Sequence, residues 1–180
     1  MNIEETGFRG LVVLNPVVFL DDRGYFMESF SGKLFNAIDS EISFVQDNES
    51  CSNRGVLRGL HYQIPPFAQA KLVRVVRGAV LDVVVDLRKS EPTYGKHFAI
   101  ELSASNKKQL FIPAGFAHGF LVHEDQTVFC YKCSEYYSRE HERSLLWNDP
   151  ALGINWGISD PIISPKDAAA PVLAHSESHF

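Results

Sequence analysis

The stretch KLVRVVRGAVLDVVVDLRK, residues 71–89, decides the fold class of this 180-residue chain. It contains two runs rich in valine and leucine, Lys71–Arg77 and Ala79–Leu87, which meet at Arg77-Gly78. Short runs of β-branched residues divided by a glycine turn are typical of neighbouring β-strands. The stretch therefore predicts two strands joined by a tight turn.

The same pattern continues on both sides of this stretch. Further strands are predicted at His97–Ser103, Gln109–Pro113, Phe116–His123 and Thr127–Tyr137, and in the N-terminal third at Leu11–Leu20, Ser43–Asp47 and Gly55–Gln63. Many short, evenly spaced strands indicate an all-β fold, either a β-sandwich or a closed jelly-roll barrel. A barrel of this size has room inside for one small ligand.

Helical patterns are scarce, and only two short helices are predicted. One is Ser31–Asp39, and the other begins at Ser164, with Pro165 at its first position and Asp167 at its third. The length suits one domain over residues 1–180, and the tail from about residue 172 to 180 is expected to be loose.

Composition indicates a globular protein, since 45% of the residues are hydrophobic and 22% are charged. No apolar run approaches the roughly 20 residues that a membrane-spanning helix needs. The N-terminus lacks a basic segment followed by an apolar one, so no signal peptide is predicted. We therefore expect a cytoplasmic protein with no membrane partner.

The three cysteines do not predict a disulfide framework, because the number is odd and no export signal is visible. Cys130 and Cys133 form a CxxC, a spacing that is also found in zinc and redox sites. Here the pair lies in a predicted strand, where residues three apart face opposite sides. No second CxxC is present, so we expect ordinary thiols and no zinc site.

Charge is unevenly distributed along this acidic chain. Residues 50–81 contain no acidic residue but five basic ones, and the net charge of the whole chain is −5. The five are Arg54, Arg58, Lys71, Arg74 and Arg77. A local basic segment suits a small anion such as a diphosphate, and it is too limited for a nucleic-acid surface. The alternative is that these charges are scattered over a solvated hairpin.

Several nucleotide and hydrolase motifs are missing from the chain. The sequence has no GxGxxG, no GxxxxGK[ST] and no GxSxG. Dinucleotide binding, P-loop hydrolysis and a serine nucleophile elbow therefore lack support.

Two histidines stand in predicted strands. PAGFAHGF, residues 113–120, is similar to the second motif of the cupin superfamily, which supplies a metal-binding histidine, here His118. The first cupin motif needs two histidines one residue apart, but the corresponding strand, Gly59–Gln63, has only His61. A metal needs three or four ligands, so we expect a barrel without metal. A histidine beside basic residues is then a candidate general base, the alternative being a core histidine without chemistry.

Eight strings in order resemble the dTDP-4-dehydrorhamnose 3,5-epimerases of the cupin superfamily. They are DDRGYFMESF (21–30), FVQDN (44–48), GVLRGLHYQ (55–63), KLVRVVRGAVLDVVVDLRK (71–89), IPAGFAHGF (112–120), YYS (136–138), LLWNDP (145–150) and KDAAAP (166–171). This resemblance implies a cupin jelly roll, a homodimer, no cofactor and a dTDP-linked 4-keto-6-deoxyhexose as substrate. It also implies inversion at C3 and C5 in dTDP-L-rhamnose synthesis.

The resemblance also implies roles for individual residues. His61 would be the base, Asp167 its partner, Tyr131 the proton donor on the other face of the sugar, and Lys71 the group that stabilises the enolate. Contacts to the nucleotide or sugar would come from Arg23, Phe26, Glu28, Gln46, Asp47, Asn48, Arg58, His118, Tyr136, Glu142 and Lys166. Arg58, assisted by Arg23, would bind the diphosphate, and Phe26 and Glu28 would contact the nucleotide across a dimer interface.

Other functions remain open at this point. Relatives that invert one carbon, or that move the ketone between C3 and C4, share much of the pattern. A metal-dependent cupin is disfavoured by the missing histidine beside His61. A binding module without catalysis would not need His61, Asp167 and Tyr131 together, and all three are present.

Overall fold

The structure is a computed structural model that describes residues 1–36, 38, 41–177 and 179–180. Its strands are β1 (Asn2–Glu5), β2 (Val12–Asn15), β3 (Val18–Asp21), β4 (Gly24–Met27), β5 (Gln46–Ser52), β6 (Leu57–Gln63), β7 (Lys71–Arg77), β8 (Ala79–Asp86), β9 (His97–Ser103), β10 (Gln109–Ile112), β11 (Phe116–Val122), β12 (Thr127–Cys133) and β13 (Glu142–Ser144). The helices are α1 (Gly32–Phe35), α2 (Pro165–Ala168) and a 3-10 turn at Leu173–His175. No helix in these ranges is long and apolar enough to cross a bilayer.

Two antiparallel sheets form the body of the fold. The larger has six strands in the order β1-β2-β10-β7-β12-β5, and the smaller has five in the order β13-β6-β11-β8-β9. Strands β3 and β4 form a separate hairpin. The predicted all-β cupin jelly-roll barrel is therefore confirmed.

The core lies between the sheets, and a further apolar cluster covers the outside of each sheet. The central cluster includes Val73, Val84 and Phe129 from facing strands. Alternate residues of β8, such as Val83 and Val85, point to the other side, where the C-terminal third packs on them. Both faces of β8 are therefore covered, which explains why its sequence is almost continuously apolar.

Most predicted strands are confirmed, and two of them, β7 and β9, have the predicted bounds. Three predictions were wrong in extent. Leu11–Leu20 is divided into β2 and β3 around Pro16, because proline cannot donate a ladder hydrogen bond. Thr127–Tyr137 ends at Cys133, where the chain leaves the sheet.

The third wrong prediction is Ser43–Asp47, because the strand found there is β5 at Gln46–Ser52. Its sequence, QDNESCS, is polar on both faces. Among the described strands, this edge strand pairs with β12 alone, and it lines a cavity on its inner side, so neither face needs apolar residues. Hydrophobic patterning therefore gave no signal for β5.

The helix at Pro165 is confirmed, with the Ser164 hydroxyl accepting a hydrogen bond from the backbone N–H of Asp167. The first helix is shorter than predicted, and the Ala37 and Asp39 positions of that prediction lie outside the described residues.

The C-terminal segment makes more contacts than its sequence predicts. Leu173 and Phe180 pack on the cluster outside the smaller sheet. The backbone carbonyls of Glu177 and Phe180 accept hydrogen bonds from the Tyr62 hydroxyl and the Lys89 N–H. These side chains cover apolar strand residues that would otherwise be exposed.

Candidate active site

A cavity opens between the two sheets and has two lobes that share a wall formed by His61, Lys71 and Tyr131. The first lobe has a volume of about 540 Å³ and extends past Arg58 and His118. The second has a volume of about 390 Å³ and extends past Gln46, Asn48 and Tyr137. The sequence therefore brings the predicted catalytic residues to the centre of one cavity.

His61 and Asp167 are in contact although 106 positions separate them in the chain. The Nε2 atom of His61, on β6, lies 2.6 Å from Oδ1 of Asp167, on α2. The backbone N–H of Gly59 lies 3.4 Å from the other carboxylate oxygen. Burial by itself raises the pKa of Asp167, but the hydrogen bonds from His61, Gly59 and Ser164 outweigh it and lower the pKa. Asp167 therefore stays ionised and fixes the His61 ring.

Tyr131 and Lys71 belong to the larger sheet, so they face His61 from the opposite wall. They lie on the paired strands β12 and β7, and the Lys71 ammonium is 5.8 Å from the centre of the Tyr131 ring. Burial raises the pKa of the Tyr131 phenol, which keeps it protonated. Burial lowers the pKa of Lys71, and nearby Cys133 and Glu142 partly oppose this effect. Lys71 Nζ donates a hydrogen bond of 3.1 Å to Gln69 Oε1.

Arg58 lies at the mouth of the first lobe, where Ser52 holds its guanidinium. The Nε and Nη2 atoms of Arg58 donate to the Ser52 hydroxyl at 3.1 and 3.0 Å. A guanidinium has five N–H donors, so three remain free of this contact for an anion. The sequence did not predict Ser52, because the contact crosses from β5 of one sheet to β6 of the other.

His118 also lines the first lobe, directly opposite His61 in the pairing of β11 with β6. Its Nε2 atom lies 2.9 Å from Oδ2 of Asp82, a fully buried residue on β8. The His118 ring stacks on Phe129 at 6.0 Å between centres. The cavity wall thus includes a second imidazole that is paired with a buried carboxylate behind it, and no motif in the sequence pointed to Asp82.

Hydrogen bonds connect the polar side chains around the second lobe. Gln46 Nε2 donates to Asn48 Oδ1 at 2.9 Å, and the Tyr137 hydroxyl donates to Glu142 Oε2 at 3.0 Å. Lys166 Nζ lies 2.5 Å from the same Glu142 oxygen. Burial raises the pKa of Glu142, but the bonds from Lys166 and Tyr137 outweigh it and lower the pKa. This lobe offers amide, hydroxyl and charged groups to a ligand.

Tyr137, rather than the predicted Tyr136, lines this lobe. The Tyr136 side chain is largely exposed and is absent from the described cavity walls. Because the two tyrosines are adjacent in YYS, the sequence could not distinguish which one faces the cavity.

Four other predicted contacts lie outside this cavity. Arg23, Phe26 and Glu28 are exposed on or just after the β3–β4 hairpin, where Arg23 pairs with Asp21. Asp47 points to the outer side of β5, where its carboxylate lies 2.7 Å from Lys132 Nζ. Neighbouring residues in a strand face opposite sides, so Asp47 cannot share the cavity with Gln46 and Asn48.

The basic residues of segment 50–81 are also divided between the cavity and the outside of the sheets. Arg58 and Lys71 line the first lobe, whereas Arg74 lines a cleft on the outer side of the larger sheet. Arg54 and Arg77 are exposed. Only two of the five cations reach the cavity. The anion site and the solvated charges that the sequence offered as alternatives therefore each describe part of the segment.

Cys130 and Cys133 face opposite sides of β12, as the strand assignment predicted. Cys130 Sγ lies 3.6 Å from Glu49 on the outer side, while Cys133 is buried beside Asn48. Over the described ranges, no three His, Cys, Asp or Glu side chains are grouped so that they could hold a metal ion.

Comparison with known proteins gives consistent matches. A family model described as dTDP-4-dehydrorhamnose 3,5-epimerase matches residues 5–175. The dTDP-4-dehydrorhamnose 3,5-epimerase of Shigella flexneri is 52% identical over 168 residues, which cover 93% of each protein.

Two solved structures are similar over almost the whole chain. The dTDP-6-deoxy-D-glucose-3,5-epimerase of Legionella pneumophila Philadelphia 1, in complex with dTDP-4-keto-L-rhamnose, has a TM-score of 0.93 and 45% identity, covering 98% of this chain and 94% of its own. The dTDP-4-dehydrorhamnose 3,5-epimerase of Bacillus anthracis str. Ames, with TDP and PPi bound, has a TM-score of 0.93 and 46% identity, covering 96% of this chain and 99% of its own. The cavity geometry and these matches agree, and the chain belongs to the dTDP-4-dehydrorhamnose 3,5-epimerase family of isomerases.

Proposed function

We propose that this protein inverts C3 and C5 of dTDP-4-keto-6-deoxyglucose by removing and returning protons next to the C4 ketone. One observation carries this proposal. The His61–Asp167 pair faces Tyr131 and Lys71 across a single cavity, and the two pairs belong to opposite sheets.

The chemistry begins at His61. Its Nε2 is bound to Asp167, which leaves Nδ1 to take a proton from the carbon beside the ketone. The electron pair moves to the ketone oxygen, and the resulting enolate is stabilised by the Lys71 ammonium in a cavity of low dielectric. The hydrogens on C3 and C5 of the gluco ring are axial on the same face, so a base on one wall serves both.

Inversion is completed from the other wall. The Tyr131 hydroxyl returns a proton to the opposite face of the carbon, so the configuration changes. Its raised pKa keeps the proton available until the enolate forms. The tyrosinate and the imidazolium that remain are reset by proton exchange with solvent.

Substrate binding is proposed to use both lobes. The free donors of Arg58 suit the diphosphate, and the network around Gln46, Asn48 and Glu142 suits the nucleotide or sugar hydroxyls. A cytoplasmic, cofactor-free enzyme in a single domain, with no nucleic-acid or membrane partner, remains our prediction.

A homodimer is also proposed, and the β3–β4 hairpin supports it. The hairpin exposes large apolar side chains to solvent, with exposed fractions of 62% for Phe19, 81% for Leu20, 55% for Tyr25 and 69% for Phe26. Exposed apolar patches of this kind mark protein contacts. In such a dimer, Phe26 and Glu28 contact the nucleotide in the partner's cavity, and Arg23 assists at its diphosphate.

The oligomer is tested by light scattering after gel filtration. We expect a dimer for the native chain and dissociation, with a higher KM, for Leu20→Asp. The control Tyr94→Asp changes an exposed large hydrophobic side chain outside the hairpin and should remain dimeric. A monomeric native chain with full activity would contradict the proposal.

The reaction is tested in heavy water with dTDP-4-keto-6-deoxyglucose, followed by mass spectrometry and proton NMR. Deuterium at C3 and C5 with inverted configuration is expected.

His61→Ala should abolish incorporation at both carbons, and the control His123→Ala should not. Tyr131→Phe should exchange deuterium without inversion, because His61 can return a deuteron to the face it deprotonated. Incorporation at one carbon indicates a mono-epimerase, and none from folded protein refutes the function.

A further inference from the structure

Asp82 is a buried carboxylate with few hydrogen-bond partners to offset the cost of removing it from water. Its side chain has no exposed surface, and it lies on β8 between Val80 and Val84, which belong to the central apolar cluster. Oδ2 bonds to His118, whereas Oδ1 has no hydrogen-bond partner among the described residues. Burying a carboxylate with so few partners costs stability, so this position is not explained by packing.

The partner of Asp82 faces the reaction centre. His118 and His61 are opposite each other on paired strands, and both line the first lobe. Each ring uses Nε2 to contact a buried carboxylate, Asp82 and Asp167 respectively. Over the ranges that the structure describes, no hydrogen bond involves Nδ1 of His118, so that atom is free for a ligand.

We propose that Asp82 is a positioning residue that holds His118 as the Nε2–H tautomer, so that Nδ1 accepts a hydrogen bond from a hydroxyl of the sugar. An ionised carboxylate only accepts hydrogen bonds, so it requires the ring proton on Nε2. The Nδ1 lone pair then repels phosphate oxygens and attracts hydroxyl hydrogens. His118 therefore orients the sugar beside His61, and the diphosphate is left to Arg58.

This inference rests on the proposed function for the identity of the ligand, but the tautomer can be measured without substrate. Nitrogen-15 NMR of the ring-labelled protein should show His118 with a protonated Nε2 and an unprotonated Nδ1. The His118 signals are assigned by their loss in His118→Asn. A proton on Nδ1 in the native protein overturns the proposal.

The second measurement uses Asp82→Leu, which replaces the carboxylate by an apolar group of the same branched shape, with the exposed Asp160→Asn as control. We expect KM to rise roughly tenfold or more, with kcat less affected, because a contact made in both ground and transition states is lost. The midpoint of thermal unfolding should also fall, because the partner of the largely buried His118 is removed, so KM is the deciding measurement. A purely structural Asp82 predicts a lower midpoint and native KM, which overturns the proposal.

The outcomes distinguish a failure of the proposed function from a failure of the role of Asp82. If the native protein incorporates no deuterium, the proposed function fails, whatever the tautomer. If it is active and Asp82→Leu has native KM, only the role of Asp82 fails. If Asp82→Leu does not fold, the tautomer in the native protein decides.

Discussion

Lys71 shows how one residue acquires a chemical property from its surroundings. It begins β7, in a position where the sequence also permits a surface lysine with its ammonium in water. The fold instead places the ammonium between Tyr131 and Gln69 in the cavity, where burial lowers its pKa. Burial likewise raises the pKa of Tyr131. Both side chains therefore favour their uncharged forms more strongly than they would in water.

A pH prediction follows from Lys71. In the proposed mechanism only the protonated form of Lys71 stabilises the enolate, so kcat/KM should fall as pH rises through the lowered Lys71 pKa, below the range of an ordinary lysine. Lys71→Arg should be less active, and its alkaline limb should lie at higher pH, because a guanidinium stays protonated. The pH profile of kcat/KM measures both effects. Lys132→Arg, on the outer side of β12, is the control, and an unmoved limb in Lys71→Arg would contradict the assignment.

At the scale of elements, the active site depends on the close approach of β6 and β11. Gly59 has a φ of +121°, and a Cβ at this position would lie 2.5 Å from the Gly119 Cα and 2.7 Å from the His118 carbonyl oxygen. These strands carry His61 and His118, and the Gly59 N–H contacts Asp167. The absence of a side chain therefore sets the spacing of both imidazole–carboxylate pairs.

Gly59→Ala should lower the free energy of unfolding by about 2–4 kcal/mol, from backbone strain and overpacking together. It should also reduce kcat, since His61 moves with β6. Denaturant unfolding and steady-state kinetics measure the two effects. Gly153→Ala has a φ of +60° and no atom near its Cβ, so it should cost only about 1–2 kcal/mol and leave kcat unchanged. Equal losses in both variants would refute this account.

At the scale of the whole molecule, a buried ion pair ties β8 to the loop that follows it. Asp86 is fully buried and accepts hydrogen bonds from Arg88 Nε at 2.9 Å, Arg88 Nη2 at 2.7 Å and the Thr93 hydroxyl at 2.6 Å. Arg88 also lies over the Phe116 ring, 4.4 Å from its centre. Burial raises the pKa of Asp86, but the bonds from Arg88 and Thr93 outweigh it and lower the pKa.

Acid should therefore destabilise the fold by protonating Asp86. With its folded pKa below the unfolded value, Asp86 contributes stability above about pH 4 and loses it as pH falls through the lowered pKa. Asp86→Asn should be less stable at neutral pH, because Arg88 loses its partner, and its stability should depend less on pH in acid. Denaturant unfolding between about pH 2 and 7 measures this. Asp21→Asn, in an exposed pair with Arg23, is the control, and parallel curves for the native protein and Asp86→Asn would contradict the prediction.

The sequence by itself determined most of the strand pattern and pointed to the candidate catalytic residues. Alternation of apolar residues and glycine turns are local signals, so β7, β8 and β9 could be predicted without knowing their partners. His61, Lys71, Tyr131 and Asp167 followed from the resemblance to one family. Only the tertiary structure decided which neighbours share the cavity: Tyr137 instead of Tyr136, Asp47 outside it, and Asp82 and Ser52 behind His118 and Arg58. These contacts depend on strand register across two sheets, and residues far apart in the chain meet only when the barrel closes.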